Sequence, residues 1–186
     1  VNPSIPGNYN LTVWTSKEVT EVKSIEYNIQ YVATTKPTVD VLPNFVNAEA
    51  AYSIKFFTGS YGGINIGDPI YMIFPTGTVL PDPGLNPISP KYITVNGVAC
   101  VIGVTVVPAT RSLTIYSPVM IAGNSSVSIN ISKDAKIINP PIAGEQYTLQ
   151  VWTLREGSSV NPFISSYYKI ISANRPTVAK VTLTPC

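Results

Sequence analysis

The sequence contains no histidine, and its 186 residues include only two cysteines, two methionines and two tryptophans. Without histidine, the side chain that most often moves protons near neutral pH is missing. A Ser-His-Asp triad and most transition-metal sites go with it. Charged residues make up only 12% of the chain, about half the usual share. The ten carboxylates are scattered, with no Asp-x-Asp-x-Asp run, and neither common glycine-rich phosphate loop occurs. The net charge of +2 comes with no basic block, so the electrostatic footprint of a nucleic-acid binder is missing. No apolar run approaches 18 residues, so no membrane-spanning helix is expected. These absences lead to the expectation of a protein that is not an enzyme, with no cofactor, no metal, no nucleic-acid partner and no membrane span. Two carboxylates sit beside turn residues. Asp82, in Asp82-Pro83-Gly84-Leu85-Asn86, has neighbours able to offer oxygens to calcium, but a solvated aspartate in a proline-rich turn accounts for it more simply. Asp68, after Gly67, reads as an Asx-type turn.

What is present is turn and strand chemistry. There are 17 prolines, 12 glycines and 11 tyrosines among many Val, Ile and Thr, a mixture that favours short strands between turns. Tyr9, Leu11 and Val13 alternate with Asn10, Thr12 and Trp14, and a return strand is expected over Ser24 to Val32. Lys17, Glu18, Thr20 and Glu21 read as the polar connection. Further strands are expected at Pro37 to Val41, Ala51 to Phe57, Ile70 to Phe74, Tyr92 to Val95, Val98 to Val107, Ser112 to Tyr116, Val127 to Ile131, Tyr147 to Thr153, Ser165 to Ile171 and Thr177 to Leu183. Asn96-Gly97 is the strongest hairpin signal. Asp134 to Ile138 is expected to form one helical turn or none. Leu80 to Pro90, with four prolines, reads as an irregular loop. No segment sustains a 3.6-residue apolar period, so the expected fold class is all-β, a sandwich.

The chain also repeats itself. Val-Trp-Thr occurs twice, and Trp14 and Trp152, the two tryptophans, stand 138 positions apart. Aligned from Tyr9 and Tyr147, the two ten-residue stretches share six residues and exchange Lys17 for Arg155. Lys36 to Val41 (KPTVDV) is echoed by Arg175 to Lys180 (RPTVAK). Read as a tandem array, residues 1–36 are a partial repeat, 37–174 a full one and 175–186 an orphan strand. The order AYSIKFFT, GINIGDPIYMIFPTGTVLP, ITVNG, LTIYSPVMIAGNSSVSINIS and IINPPIAGEQYTLQVWT resembles the Ig-like repeats of large surface-layer and adhesin-like proteins of thermophilic bacteria and archaea. The resemblance covers roughly Ala51 to Ile170, and again Asn2 to Ile29. It implies an Ig-like β-sandwich with extra terminal strands homologous to parts of neighbouring repeats, and a structural role at the cell surface without general catalytic activity.

Low charge, abundant Thr, Ser, Asn and Tyr, and a start at Val1 lead to the expectation of an extracellular or surface-displayed protein. In that setting Cys100 and Cys186 are expected to pair, within one chain or between two; free thiols are the alternative. Asn10, Asn124 and Asn130 lie in sequons, which also arise by chance in so polar a chain. Tyr61, Tyr71, Tyr92, Tyr116, Tyr167 and Tyr168 suggest a carbohydrate-binding face, or only that tyrosine suits strands.

Partial repeats at both ends cannot bury their apolar faces alone. The expected partners are therefore copies of the same chain. Tyr9, Leu11, Val13, Trp14, Ile25, Tyr27 and Ile29 at one end, and Val178, Val181 and Leu183 at the other, would insert into a neighbour as donor strands. Such head-to-tail contacts need not close and can grow into a filament, pilus-like fibre or tube. The alternative is a repeat of a surface-layer or adhesin protein, with carbohydrate as a further ligand.

Overall fold

In the computed structural model, which describes residues 7–29 and 35–173, the period-two segments of the sequence are strands. The first four are short: β1 (Gly7–Tyr9), β2 (Thr12–Val13), β3 (Val22–Lys23) and β4 (Tyr27–Ile29). The sandwich strands follow: β5 (Thr38–Leu42), β6 (Ala51–Phe57), β7 (Pro69–Ile73), β8 (Ile93–Val95), β9 (Val98–Ala99), β10 (Thr105–Val107), β11 (Ser112–Tyr116) and β12 (Ser126–Ile131). A second hairpin closes the domain with β13 (Gly144–Tyr147), β14 (Gln150–Thr153), β15 (Phe163–Ile164) and β16 (Tyr168–Ile170).

One sheet has the order β5-β6-β12-β8-β9 and the other β10-β11-β7-β14-β15. Alternation decides which residues meet between them. On β6, Tyr52, Ile54 and Phe56 point inward, and on β7 Ile70 and Met72 do so. They join Ile93, Leu113, Ile115, Ile129, Ile131, Leu149 and Val151 in one buried cluster. Each such side chain contributes roughly 1.5–3 kcal/mol by leaving water. This is an all-β sandwich. Asn96 and Gly97 both adopt positive φ, 49° and 82°, which is what a two-residue turn between β8 and β9 demands.

Several expected strands are broken or shortened in the structure: Tyr9 to Trp14 divides between β1 and β2, and the return strand expected over Ser24 to Val32 is, among the described residues, β4 at Tyr27–Ile29. Val98 to Val107 is two strands: β9 ends one sheet, the chain crosses at Cys100 to Val104, and β10 begins the edge of the other. Tyr147 to Thr153 splits between β13 and β14, and Ser165 to Ile171 is shortened to β16 at Tyr168–Ile170, with β15 lying ahead of it. The Ser165 hydroxyl accepts the Leu149 N–H at 2.9 Å, while the Ser165 N–H donates to the Leu149 carbonyl. A side chain thus enters the ladder, and β14 turns to pair with β7 while β13 pairs with β16. The expected helical turn is a 3-10 turn at Lys133–Ala135, capped by the Ser132 hydroxyl, which accepts the Asp134 N–H at 3.2 Å. The expected strand Thr177 to Leu183 lies outside the described residues, as do the orphan segment from residue 174 onward, residues 1–6 and residues 30–34.

Candidate functional site

The hairpin of residues 7–29 is built on the plan of the hairpin that closes the sandwich. Tyr9 pairs with Tyr27 as Tyr147 pairs with Tyr168, and the ring centroids are 6.3 Å and 6.1 Å apart, each pair tilted by 35°. Thr12 and Val13 pair with Lys23 and Val22, as Gln150 and Val151 pair with Ile164 and Phe163. Ser24 interrupts the first ladder as Ser165 interrupts the second: its hydroxyl accepts the Leu11 N–H at 2.9 Å, and its N–H donates to the Leu11 carbonyl. At the tips, the Thr15 N–H donates to the Glu18 carbonyl at 3.0 Å, and the Glu18 N–H donates to the Thr15 hydroxyl at 3.0 Å. Thr153 and Glu156 make the same two bonds at 2.9 and 3.1 Å. The loops differ beyond that point. Tyr9 and Tyr147 are 138 positions apart, but Tyr27 and Tyr168 are 141 apart, so the second loop is three residues longer.

The surroundings of the two hairpins are opposite. Leu149 is wholly buried and Leu11 is 57% exposed; Val151 is 1% exposed and Val13 52%. Trp152 lies flat on Tyr71, centroids 5.1 Å apart, whereas Trp14 is 62% exposed. Ile25 and Tyr27 are exposed, and Tyr9 and Ile29 are half-buried. The sequence-predicted residues of the first hairpin are therefore gathered on one small, largely solvent-facing element. Val178, Val181 and Leu183 lie outside the described residues.

Identity follows burial. Leu149, Val151, Thr153, Glu156, Ser165, Tyr168 and Ile170 are buried in the second hairpin. Their counterparts in the first are Leu11, Val13, Thr15, Glu18, Ser24, Tyr27 and Ile29, the same residue type at all seven places. Among the buried positions only Gly157 changes, to Val19, where the loops diverge. Most of the differences between the hairpins fall on outward positions, such as Gln150 for Thr12 and Ile164 for Lys23.

Glu156 is the element that sequence reasoning missed, because its counterpart Glu18 reads as part of a polar connection. Its Oε1 accepts the Gly59 N–H at 2.8 Å, and its Oε2 has no hydrogen-bond partner among the described residues. The carboxyl lies against Gly62, where a Cβ would overlap it. Burial pushes the Glu156 carboxyl above its ordinary range, and the Gly59 N–H pulls the other way. Beside it, Arg155 Nε stands 3.7 Å from Asp68 Oδ2. The same Asp68 oxygen accepts the Asn65 N–H at 2.8 Å, a bond reaching back three residues rather than the expected Asx turn. The signal that could have found Glu156 was Thr-x-x-Glu recurring in both copies.

The remaining candidates are dispersed. Cys100 is a buried thiol whose pKa burial raises, and Cys186 lies outside the described residues. Asn10, Asn124 and Asn130 are all exposed. Asp82 Oδ1 accepts the Gly84 N–H at 2.8 Å, the turn geometry expected of it. The tyrosines do not share a face: Tyr71 and Tyr116 lie on one sheet, Tyr92 borders the other, and Tyr168 is buried in the core. Among the described residues no helix is long and apolar enough to cross a membrane.

No family model matches the sequence, and no curated protein matches it. Among solved structures, that of BslA, described as a bacterial hydrophobin, is similar over 73% of this chain and 95% of its own, with 11% identity and a TM-score of 0.43. A collagen-binding domain from a Staphylococcus aureus adhesin is similar over 72% of this chain and 93% of its own, with 13% identity and a TM-score of 0.34. Likeness at this level leaves the architecture resting on the strands themselves, and the surface-layer resemblance on the sequence motifs.

Proposed function

We propose that this chain is a structural, non-catalytic subunit of an extracellular assembly, a filament, pilus-like fibre or tube. Its modules join head to tail through the hairpin of residues 7–29, donated to a neighbour by β-augmentation. One observation carries the reading: a hairpin with the seven core-facing residues of a sandwich-closing hairpin holds them largely in solvent. Exposed apolar residues that match a known buried set mark an interaction surface. The arm is also already paired, so docking it costs less ordering than the roughly 1–2 kcal/mol per residue of an unstructured strand. Each apolar side chain that docks returns roughly 1.5–3 kcal/mol.

The test is the mass of the full chain against that of a chain lacking residues 1–30, measured by light scattering over a range of concentration, with micrographs of the concentrated material. The full chain grows in mass and forms fibres, and the shortened chain stays monomeric. Equal masses at every concentration defeat the reading. A second reading, a repeat of a surface-layer or adhesin protein, is favoured by a different observation: the sandwich already holds its own closing hairpin. On that reading neither chain grows in mass.

A further inference from the structure

We infer that the hairpin of residues 7–29 is a plug for one particular place: the slot bordered by β7 and the glycine loop in the sandwich of a second copy whose own closing hairpin is out of it. The inference rests on the reading that this hairpin joins modules, and adds which surface receives it and which residues seat it. The slot is on display within the chain itself. β14 pairs with β7 from Gln150 opposite Ile73 to Thr153 opposite Ile70, Leu149 and Val151 enter the core, and Glu156 reaches the Gly59 N–H beside Gly62. In the first hairpin β2 is paired with β3 in a two-stranded sheet.

Each docking group therefore has a stated destination. Leu11 and Val13 fill the places of Leu149 and Val151. Trp14 stacks on the partner's equivalent of Tyr71. Glu18, whose backbone already has the bonding of Glu156, accepts the glycine-loop N–H. Lys17 meets a carboxylate placed like Asp68, as Arg155 does here. Among the described residues there are two such hairpins and one slot, which the second hairpin fills. The partner is a second copy that has released its own closing hairpin: the incoming hairpin brings the same residue types to the seven positions that the release uncovers.

The probe is the full chain made into an acceptor. Leu149→Asp and Val151→Asp expel its own second hairpin, and Val13→Asp with Glu18→Lys disable its first. Mixed with wild-type chain, it is expected to form a one-to-one complex by light scattering, with Trp14 emission shifting to the blue. Val13→Asp with Glu18→Lys in the donor weakens the complex at least tenfold. Absence of a complex, or a complex indifferent to those donor changes, overturns the inference. If instead the wild-type chain grows in mass through residues 1–30 while this acceptor ignores it, the joining role stands and the slot assignment falls. Should the acceptor fail to fold, a graft decides: Gln150→Thr, Leu154→Ser, Arg155→Lys, Phe163→Val and Ile164→Lys put the first hairpin's residues into the closed slot. Cooperative melting within a few degrees of wild type supports the fit, and loss of the cooperative transition overturns it.

Discussion

The Tyr52 hydroxyl donates to Asn139 Oδ1 at 2.7 Å, deep beneath β6. Asn139 in turn donates from Nδ2 to the Pro43 and Phe45 carbonyls at 2.9 and 3.0 Å, and its N–H donates to the Ala48 carbonyl. It opens the Asn-Pro stretch that leads into the closing hairpin and is itself wholly buried. Asn139→Ala leaves the buried Tyr52 hydroxyl and the Pro43 and Phe45 carbonyls without this side chain and is expected to cost about 2–4 kcal/mol. Tyr52→Phe removes one hydroxyl and costs about 1–2 kcal/mol. Urea unfolding midpoints check both; an Asn139→Ala chain as stable as wild type contradicts the network's role.

Gly62 is required by its neighbour rather than by its backbone. A methyl group there overlaps the Glu156 carboxyl, so Gly62→Ala is expected to destabilise by about 1–3 kcal/mol. In a Glu156→Ala background the same substitution costs clearly less, because touching residues are not additive. Equal costs in the two backgrounds refute the contact.

Glu156 makes stability depend on pH in a direction opposite to that of a salt-bridged carboxylate. Its folded pKa lies above the ordinary value of 4.5, so the folded chain holds this proton more tightly than the unfolded chain does. Its contribution is fully present below the ordinary value and is lost as pH rises through the folded value. The melting temperature of wild type relative to Glu156→Gln is therefore expected to rise as pH falls from 7 towards 4.5. A difference that stays flat across that window contradicts the burial of the carboxyl.

The two tryptophans report on the two hairpins separately. In dilute Trp152→Phe, the remaining Trp14 is expected to emit to the red and to be strongly quenched by acrylamide, as befits its exposure. In Trp14→Phe, Trp152 on Tyr71 emits further to the blue and quenches weakly. Indistinguishable spectra at low concentration mean that Trp14 is covered.

Much of the architecture was legible because it is local. Ala51 to Phe57 alternates and is β6 without a change of boundary, and Asn96-Gly97 turns where its φ preferences demand. The breaks in the longer strands were not legible. That at Leu149 depends on a hydroxyl sixteen residues away, and β9 and β10 separate because their partners lie in different sheets.

The internal likeness is legible in the sequence alone: Val-Trp-Thr twice, with Tyr9 and Tyr147 in step, marks two hairpins of one kind without any coordinates. What the two hairpins do differently was decided only in three dimensions. Local bonds shape both alike, since each is held by its own ladder, whereas burial needs groups distant in the chain. Glu156 meets Gly59 across 97 residues, and that meeting turns a polar loop residue into an anchor. In the first hairpin the same residue faces water, because the sheet that would receive it is not beside it.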